Sequence, residues 1–123
     1  MNLKDVSYAF VHRYKKQAER EHVSVSNTKN TRWFAAFVDE EMVGFGAFIL
    51  VGKVARVKGI YIFPEERGLG HGGRMTEAIF EEALNSGVGR LEAFALNPSF
   101  YEQRGWRRTA TQLRSGAWKV VSQ

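Results

Sequence analysis

The chain has 123 residues, 44% of them hydrophobic and 25% charged, and a formal net charge of +5. These values predict one globular domain over residues 1–123, which we expect to be cytoplasmic. The absence of cysteine excludes disulfides, a cysteine nucleophile and thiolate metal sites, and no apolar run reaches the roughly 20 residues that would suggest a membrane span.

The first part of the chain predicts a helix followed by three strands. Residues 2–22 place apolar side chains at near-helical spacing, which predicts an amphipathic helix. After a polar connector at residues 24–31, residues 32–38 form a continuous apolar run typical of a strand covered on both faces. Residues 42–51 and 54–63 predict two more strands, and the short connections favour antiparallel pairing.

The second part predicts a strand–helix–strand crossover and a hairpin. A helix over residues 74–85 leads to a strand at residues 91–96, which a right-handed crossover makes parallel to the strand at 54–63. Residues 106–113 and 117–121 predict the hairpin. The expected fold is α+β, of the α/β type with a mixed, mostly antiparallel sheet of about six strands, one central parallel crossover and an N-terminal helix.

Residues 60–73 read I-Y-I-F-P-E-E-R-G-L-G-H-G-G and form the most informative segment. Regular strand pairing should stop at Pro64, which has no N–H group to donate. The glycines that follow allow an anion to approach the main chain closely, and the start of the next helix attracts negative charge. The segment therefore predicts a phosphate site, although a glycine turn alone often serves only as a tight connection. It matches neither a Walker loop nor a dinucleotide fingerprint.

Two segments, in this order, resemble the GNAT acetyltransferase superfamily. The first is similar to the family motif in which a hydrophobic strand and a proline precede Arg-x-x-Gly-x-Gly, here Arg67, Gly70 and Gly72. The second, F-Y-E-Q-R-G-W at residues 100–106, is similar to a late Phe-Tyr-Glu-x-x-Gly-aromatic motif. The resemblance extends from about residue 32 to the C terminus. It implies acetyl-CoA as cofactor and direct transfer of its acetyl group to an acceptor amine.

The resemblance also implies roles for individual residues. Main-chain groups of residues 67–73, which we call the glycine turn, would hold the CoA diphosphate. The end of the preceding strand would pair with pantetheine. Tyr101 would protonate the departing thiolate, Asn97 would contact the cofactor arm, and Arg104 would meet the 3′-phosphate. A core tyrosine and a solvated arginine are the structural alternatives. The implied cofactor-binding residues are Tyr61, Ile62, Phe63, Arg67, Gly68, Leu69, Gly70, His71, Gly72, Gly73, Asn97 and Arg104; no metal site is expected.

The sequence departs from the family pattern in two places. The first strand of the family is missing from the predicted elements, and residues 1–31 predict one helix where two often occur, so the acceptor is not identified. Asn97 lies only four residues before Tyr101, where the family spacing is longer, which predicts that the helix at this point is only about one turn long.

The general base is not identified either. Many relatives have a glutamate on the strand before the glycine turn, where this chain has Arg56 and Lys58. If these cations line the acceptor side, they favour an acidic or phosphate-bearing acceptor. Glu41 and Glu92 remain as candidates for the base, and each also fits a surface carboxylate.

Further interpretations remain open. Residues 98–123 contain five basic residues and one acidic residue, which favours an anionic partner such as a nucleic acid, or else a solvated basic face. A non-catalytic CoA-binding module fits the lack of an obvious base. A homodimer paired along a free strand edge at residues 33–38 is also possible.

Overall fold

Seven strands form one sheet in the computed structural model, which describes residues 1–122. The strand order is β1-β2-β3-β4-β5-β7-β6, and only β4 and β5 are parallel neighbours. The mixed, mostly antiparallel sheet with one parallel crossover is therefore confirmed. The strands are β1 (Asn2–Val6), β2 (Thr31–Val38), β3 (Glu41–Val51), β4 (Val54–Ile62), β5 (Arg90–Ala95), β6 (Arg107–Gln112) and β7 (Trp118–Val121).

Helices cover both faces of the sheet, and the sheet separates two hydrophobic cores. Trp33 and Phe34 are neighbours on β2 and belong to opposite cores, as the alternation of side chains along a strand requires. One core includes Met75 and Ile79 of the long helix, and the other includes Val11 of the first short helix. The helices are α1 (Tyr8–His12), α2 (Lys15–Arg20), α3 (His71–Asn85) and α4 (Ser99–Glu102). The single turn of α4 agrees with the short spacing between Asn97 and Tyr101.

The single helix predicted over residues 2–22 is wrong. Residues 2–6 form β1, which pairs antiparallel with β2 from Asn2 opposite Phe37 to Val6 opposite Trp33. The chain then turns at Ser7, whose hydroxyl caps α1, and α2 follows after a short break. The first strand and both helices of the family pattern are thus present. Because β1 occupies the outer edge of β2, the free edge that suggested a homodimer does not exist.

Two irregularities shape β4. Near its middle, Gly59 has a φ of +64° and lies with Ile60 opposite the single residue Gly46 of β3, which makes a β-bulge. On the other side, β4 pairs with β5 only from Val54 to Arg56. Beyond Arg56 the two strands no longer pair, while β5 stays paired with β7 along its other edge. A gap therefore opens in the middle of the sheet.

Candidate active site

The gap between β4 and β5 leaves main-chain groups of β4 without strand partners. Phe63 donates its N–H to the carbonyl of Val43 on β3, with an N···O distance of 3.0 Å. Alternate residues of an antiparallel strand direct their N–H groups to opposite sides. The N–H of Ile62 consequently faces away from β3 and into the gap, at the position that the resemblance implies for the thioester carbonyl.

The glycine turn lies at the end of β4 and leads directly into α3. Gly68 and Gly70 have φ values of +84° and +78°, which side chains rarely tolerate, and α3 begins at His71, three residues earlier than predicted. Within residues 1–122, the main-chain N–H groups of residues 68–73 donate to no protein acceptor. They border a cavity of about 380 Å³ lined by Ile62, Glu66, Arg67, Gly68, Gly70, His71 and Gly72. This arrangement suits an anion.

Side chains of α3 hold the glycine turn in shape. Arg74 donates from Nη2 to the carbonyl of Leu69 at 2.6 Å and lies 2.9 Å from Nδ1 of His71, which is buried. A β-carbon at Gly73 would lie 3.3 Å from the ring of Phe100, so this glycine also permits close packing against the second motif. Contacts within the chain therefore support the conformation of the turn.

Arg67 is bound to another part of the protein. Its guanidinium forms an ion pair with Glu21 at 2.7 Å and donates from Nε to the carbonyl of Ile62 at 3.0 Å. The hydroxyl of Tyr61 donates to the same carboxylate. The hydrogen bonds from Arg67 and Tyr61 lower the pKa of Glu21 from 4.5 to about 2. Glu21 lies at the end of α2, and no sequence motif marked it.

Tyr101 combines a packing role with access to the gap. Its ring centroid lies 4.9 Å from that of Trp106 and 5.2 Å from that of Phe100. Its hydroxyl forms no hydrogen bond within residues 1–122, and the residue lines a cavity next to β4. Burial raises the pKa of Tyr101, so the hydroxyl stays protonated at neutral pH. Such a group can donate a proton.

Asn97 and Arg104 take part in contacts around α4. Oδ1 of Asn97 accepts hydrogen bonds from the main-chain N–H and hydroxyl of Ser99 at 3.3 and 2.7 Å. Arg104 forms an ion pair with Glu77 of α3 and lies 3.6 Å from the ring centroid of Phe100. Asn97 therefore stabilises the start of α4, and Arg104 connects the end of α4 to α3.

The two candidate bases differ in their surroundings. Glu92 is only 6% exposed, so the reading of it as a surface carboxylate is wrong. It forms ion pairs with Arg56 at 2.6 Å and Lys119 at 3.3 Å. Glu41 is exposed at the start of β3 and lines neither cavity of the site.

A second cavity, which we call the inner cleft, adjoins Tyr101. Its volume is about 420 Å³. The loop after α2, the exposed side of β4, the end of β5 and the β6–β7 hairpin form its walls. The lining residues are His22, Val23, Ser24, Arg56, Val57, Lys58, Gly59, Ile60, Phe94, Tyr101 and Leu113. The inner cleft and the glycine turn thus lie along the same strand, β4.

The basic C-terminal part does not form a broad patch of free cations. Arg104, Arg108 and Lys119 form ion pairs with Glu77, Glu102 and Glu92, respectively. This gives no support to a nucleic-acid partner. In the part of the chain that the structure describes, no group of three or more histidine and acidic side chains is arranged to hold a metal ion. No helix among residues 1–122 has the length and hydropathy needed to cross a bilayer.

Comparisons with solved structures agree with this fold. An IAA acetyltransferase from Bacillus cereus is 13% identical, with 98% of this chain and 97% of that chain covered and a TM-score of 0.76. A Bacillus subtilis acetyltransferase in complex with CoA is 13% identical, with 98% and 95% covered and a TM-score of 0.71. A spermidine N-acetyltransferase chimera from Vibrio cholerae SpeG and hSSAT is 15% identical, with 99% and 95% covered and a TM-score of 0.76.

Sequence comparison identifies the family. No curated protein matches the chain. A family model described as the acetyltransferase (GNAT) family matches residues 3–106, which include most of β1, the glycine turn and the second motif. The chain therefore belongs to the acetyltransferase (GNAT) family.

Proposed function

We propose that the protein is an N-acetyltransferase that moves an acetyl group from acetyl-CoA directly to an acceptor amine. One observation carries the proposal: the free N–H groups of residues 68–73 lie at the start of α3, next to the gap beside β4. A diphosphate is the part of the cofactor that such a row of donors suits. The family membership and the CoA-bound structural neighbour support the same assignment.

Each part of the site has a task in this reaction. Bound acetyl-CoA supplies the activated acetyl group. The N–H groups of residues 68–73 hold its diphosphate, and the open side of β4 offers main-chain partners to its pantetheine amides. The N–H of Ile62 donates to the thioester oxygen as negative charge develops there. Arg67 positions the turn through Glu21 and the carbonyl of Ile62.

The transfer needs two proton movements. The amine nitrogen bonds to the acetyl carbon as the carbon–sulfur bond breaks, the Tyr101 hydroxyl gives its proton to the departing sulfur, and the phenolate regains a proton from water. The nitrogen must lose a proton. Because Glu92 is ion-paired and Glu41 lies outside the cavities, we assign neither as the base. We propose that the amine reacts from its neutral fraction and releases its proton to water.

Calorimetric titration with acetyl-CoA tests the proposal. In Gly72→Glu the new β-carbon would meet only Ile62, at 3.7 Å, so the fold accommodates it. A carboxylate in the first turn of α3 favours the helix but repels a diphosphate. We expect acetyl-CoA to bind the wild type and to bind this variant about tenfold or more weakly.

Gly89→Glu is the matched control for this titration. Gly89 has no heavy atom within 4 Å of an added β-carbon and lies just before β5, outside both cavities of the site. The control changes charge by the same amount, so its affinity for acetyl-CoA should equal that of the wild type. No heat with the wild type at millimolar cofactor, or equal affinity in all three proteins, would contradict the proposal.

A further inference from the structure

The walls of the inner cleft carry an excess of positive charge. Arg56 and Lys58 line it from β4, whereas Lys119 lies behind the lining, on β7 opposite Phe94 of β5. One carboxylate, that of Glu92, lies among these cations and pairs with Arg56 and Lys119. Among residues 1–122, Lys58 has no negative partner.

The ammonium group of Lys58 is held by neutral groups alone. Nζ donates to the carbonyl of Ser26 at 3.4 Å and to the hydroxyl of Thr28 at 3.1 Å, and lies 5.8 Å from the ring centroid of Trp33. No carboxylate of residues 1–122 lies within 4 Å of it. Burial and the neighbouring charge of Arg56 lower its pKa, as expected for a cation without a counter-charge. A partly buried charge of this kind is unfavourable until an anion joins it.

The inner cleft also places this cation and the proposed proton donor in one cavity. Lys58 and Tyr101 both line it, and its volume of about 420 Å³ suits a small molecule rather than a polymer. A single unpaired ammonium matches a single negative charge. We propose that the acceptor is a small amine that also carries a carboxylate, and that Lys58 binds this carboxylate. This inference rests on the proposed acetyl transfer and names its substrate class.

Two amines of equal length provide the test. The protein is saturated with CoA, and 4-aminobutyrate and 1,4-diaminobutane are titrated in by calorimetry, so that the readout does not depend on turnover. Each has a primary amine, while the other end is a carboxylate in the first and an ammonium in the second. We expect 4-aminobutyrate to bind about tenfold or more tightly than 1,4-diaminobutane, because one hydrogen bond between charged groups contributes about that factor to affinity.

Variants of Lys58 test whether this residue causes the preference for the carboxylate-bearing amine. Lys58→Met should reduce the ratio of the two affinities to near one and leave acetyl-CoA affinity unchanged, whereas Lys58→Arg should retain most of the ratio. Lys53→Met, in the exposed turn before β4, removes the same charge outside the inner cleft and should behave as the wild type. Titration of phosphoethanolamine against β-alanine, which carries a carboxylate at similar distance from its amine, shows whether a phosphate is preferred to the carboxylate.

The outcomes separate this inference from the proposed function. Loss of acetyl-CoA binding by the wild type would remove the proposed function. With normal acetyl-CoA binding, four results would overturn only the carboxylate assignment. The first two are equal or tighter binding of 1,4-diaminobutane and binding of neither amine. The others are a preference for 4-aminobutyrate that survives Lys58→Met and a preference for phosphoethanolamine over β-alanine.

Discussion

Arg67 shows that a residue in a cofactor-binding motif can also form an ion pair within the protein. The resemblance implies that Arg67 contacts the cofactor, and in the structure its guanidinium also binds Glu21, 46 residues away. The same carboxylate accepts from Tyr61, so three residues from α2, β4 and the glycine turn form one cluster. No local pattern indicates such a contact, because Glu21 follows a charged helix that resembles any solvated surface. The glycine turn is thus attached to the N-terminal region.

Glu21→Gln should show how this cluster responds to acid. The pKa of Glu21 is depressed to about 2, below its ordinary value of 4.5. Its contribution to stability is therefore complete above about pH 4.5 and is lost as the pH falls toward 2. We expect urea unfolding to show the wild type more stable than Glu21→Gln at pH 7, with the difference shrinking between pH 4.5 and 2. A difference that is constant with pH would contradict this explanation.

Tyr101→Phe separates the two roles of this residue. The ring and its packing against Phe80 and Trp106 stay in place, and the hydroxyl has no hydrogen bond to lose. We expect unchanged stability and acetyl-CoA affinity, with kcat lower by about 100-fold. Since burial raises the pKa of Tyr101, wild-type activity should not decline from loss of this proton until the pH exceeds 10.0. If turnover is the same in both proteins, Tyr101 is not the proton donor.

Strands with long apolar runs could be predicted from the sequence, but the first strand could not. β2 and β3 are buried on both faces over most of their length, which gives a continuous hydrophobic signal. In β1 only Leu3 and Val6 are partly buried, and their spacing of three residues fits a helix equally well. Its conformation depends on pairing with β2, some 30 residues later, and pairing of that range has no local signature.

The bulge in β4 gives an element-scale prediction. Gly59 and Gly52 have nearly equal φ values of +64° and +63°, but an added β-carbon would lie 2.9 Å from the Trp33 ring at Gly59 and in open space at Gly52. Gly52→Ala should cost about 1 kcal/mol through backbone strain. Gly59→Ala should cost about 1–3 kcal/mol more, because the buried ring must move. Equal losses in urea unfolding would show that the bulge tolerates a side chain.

At the scale of the whole molecule, net charge is a poor guide to surface chemistry. The total of +5 is visible in the sequence, but the pairing of cations with acids is not. Arg104 and Glu77 are 27 residues apart, and Arg56 and Glu92 are 36 apart. Once these pairs are formed, the charge available to a ligand in the inner cleft is concentrated at Lys58. The fold, more than the composition, therefore defines the acceptor class that we propose.

A crystal structure of the protein with acetyl-CoA tests the central claim most directly. We expect diphosphate oxygens within hydrogen-bonding distance of the main-chain N–H groups of residues 68–73, and the thioester in the gap beside Ile62 and Tyr101. A cofactor bound elsewhere, with the glycine turn left without a phosphate, would contradict the account.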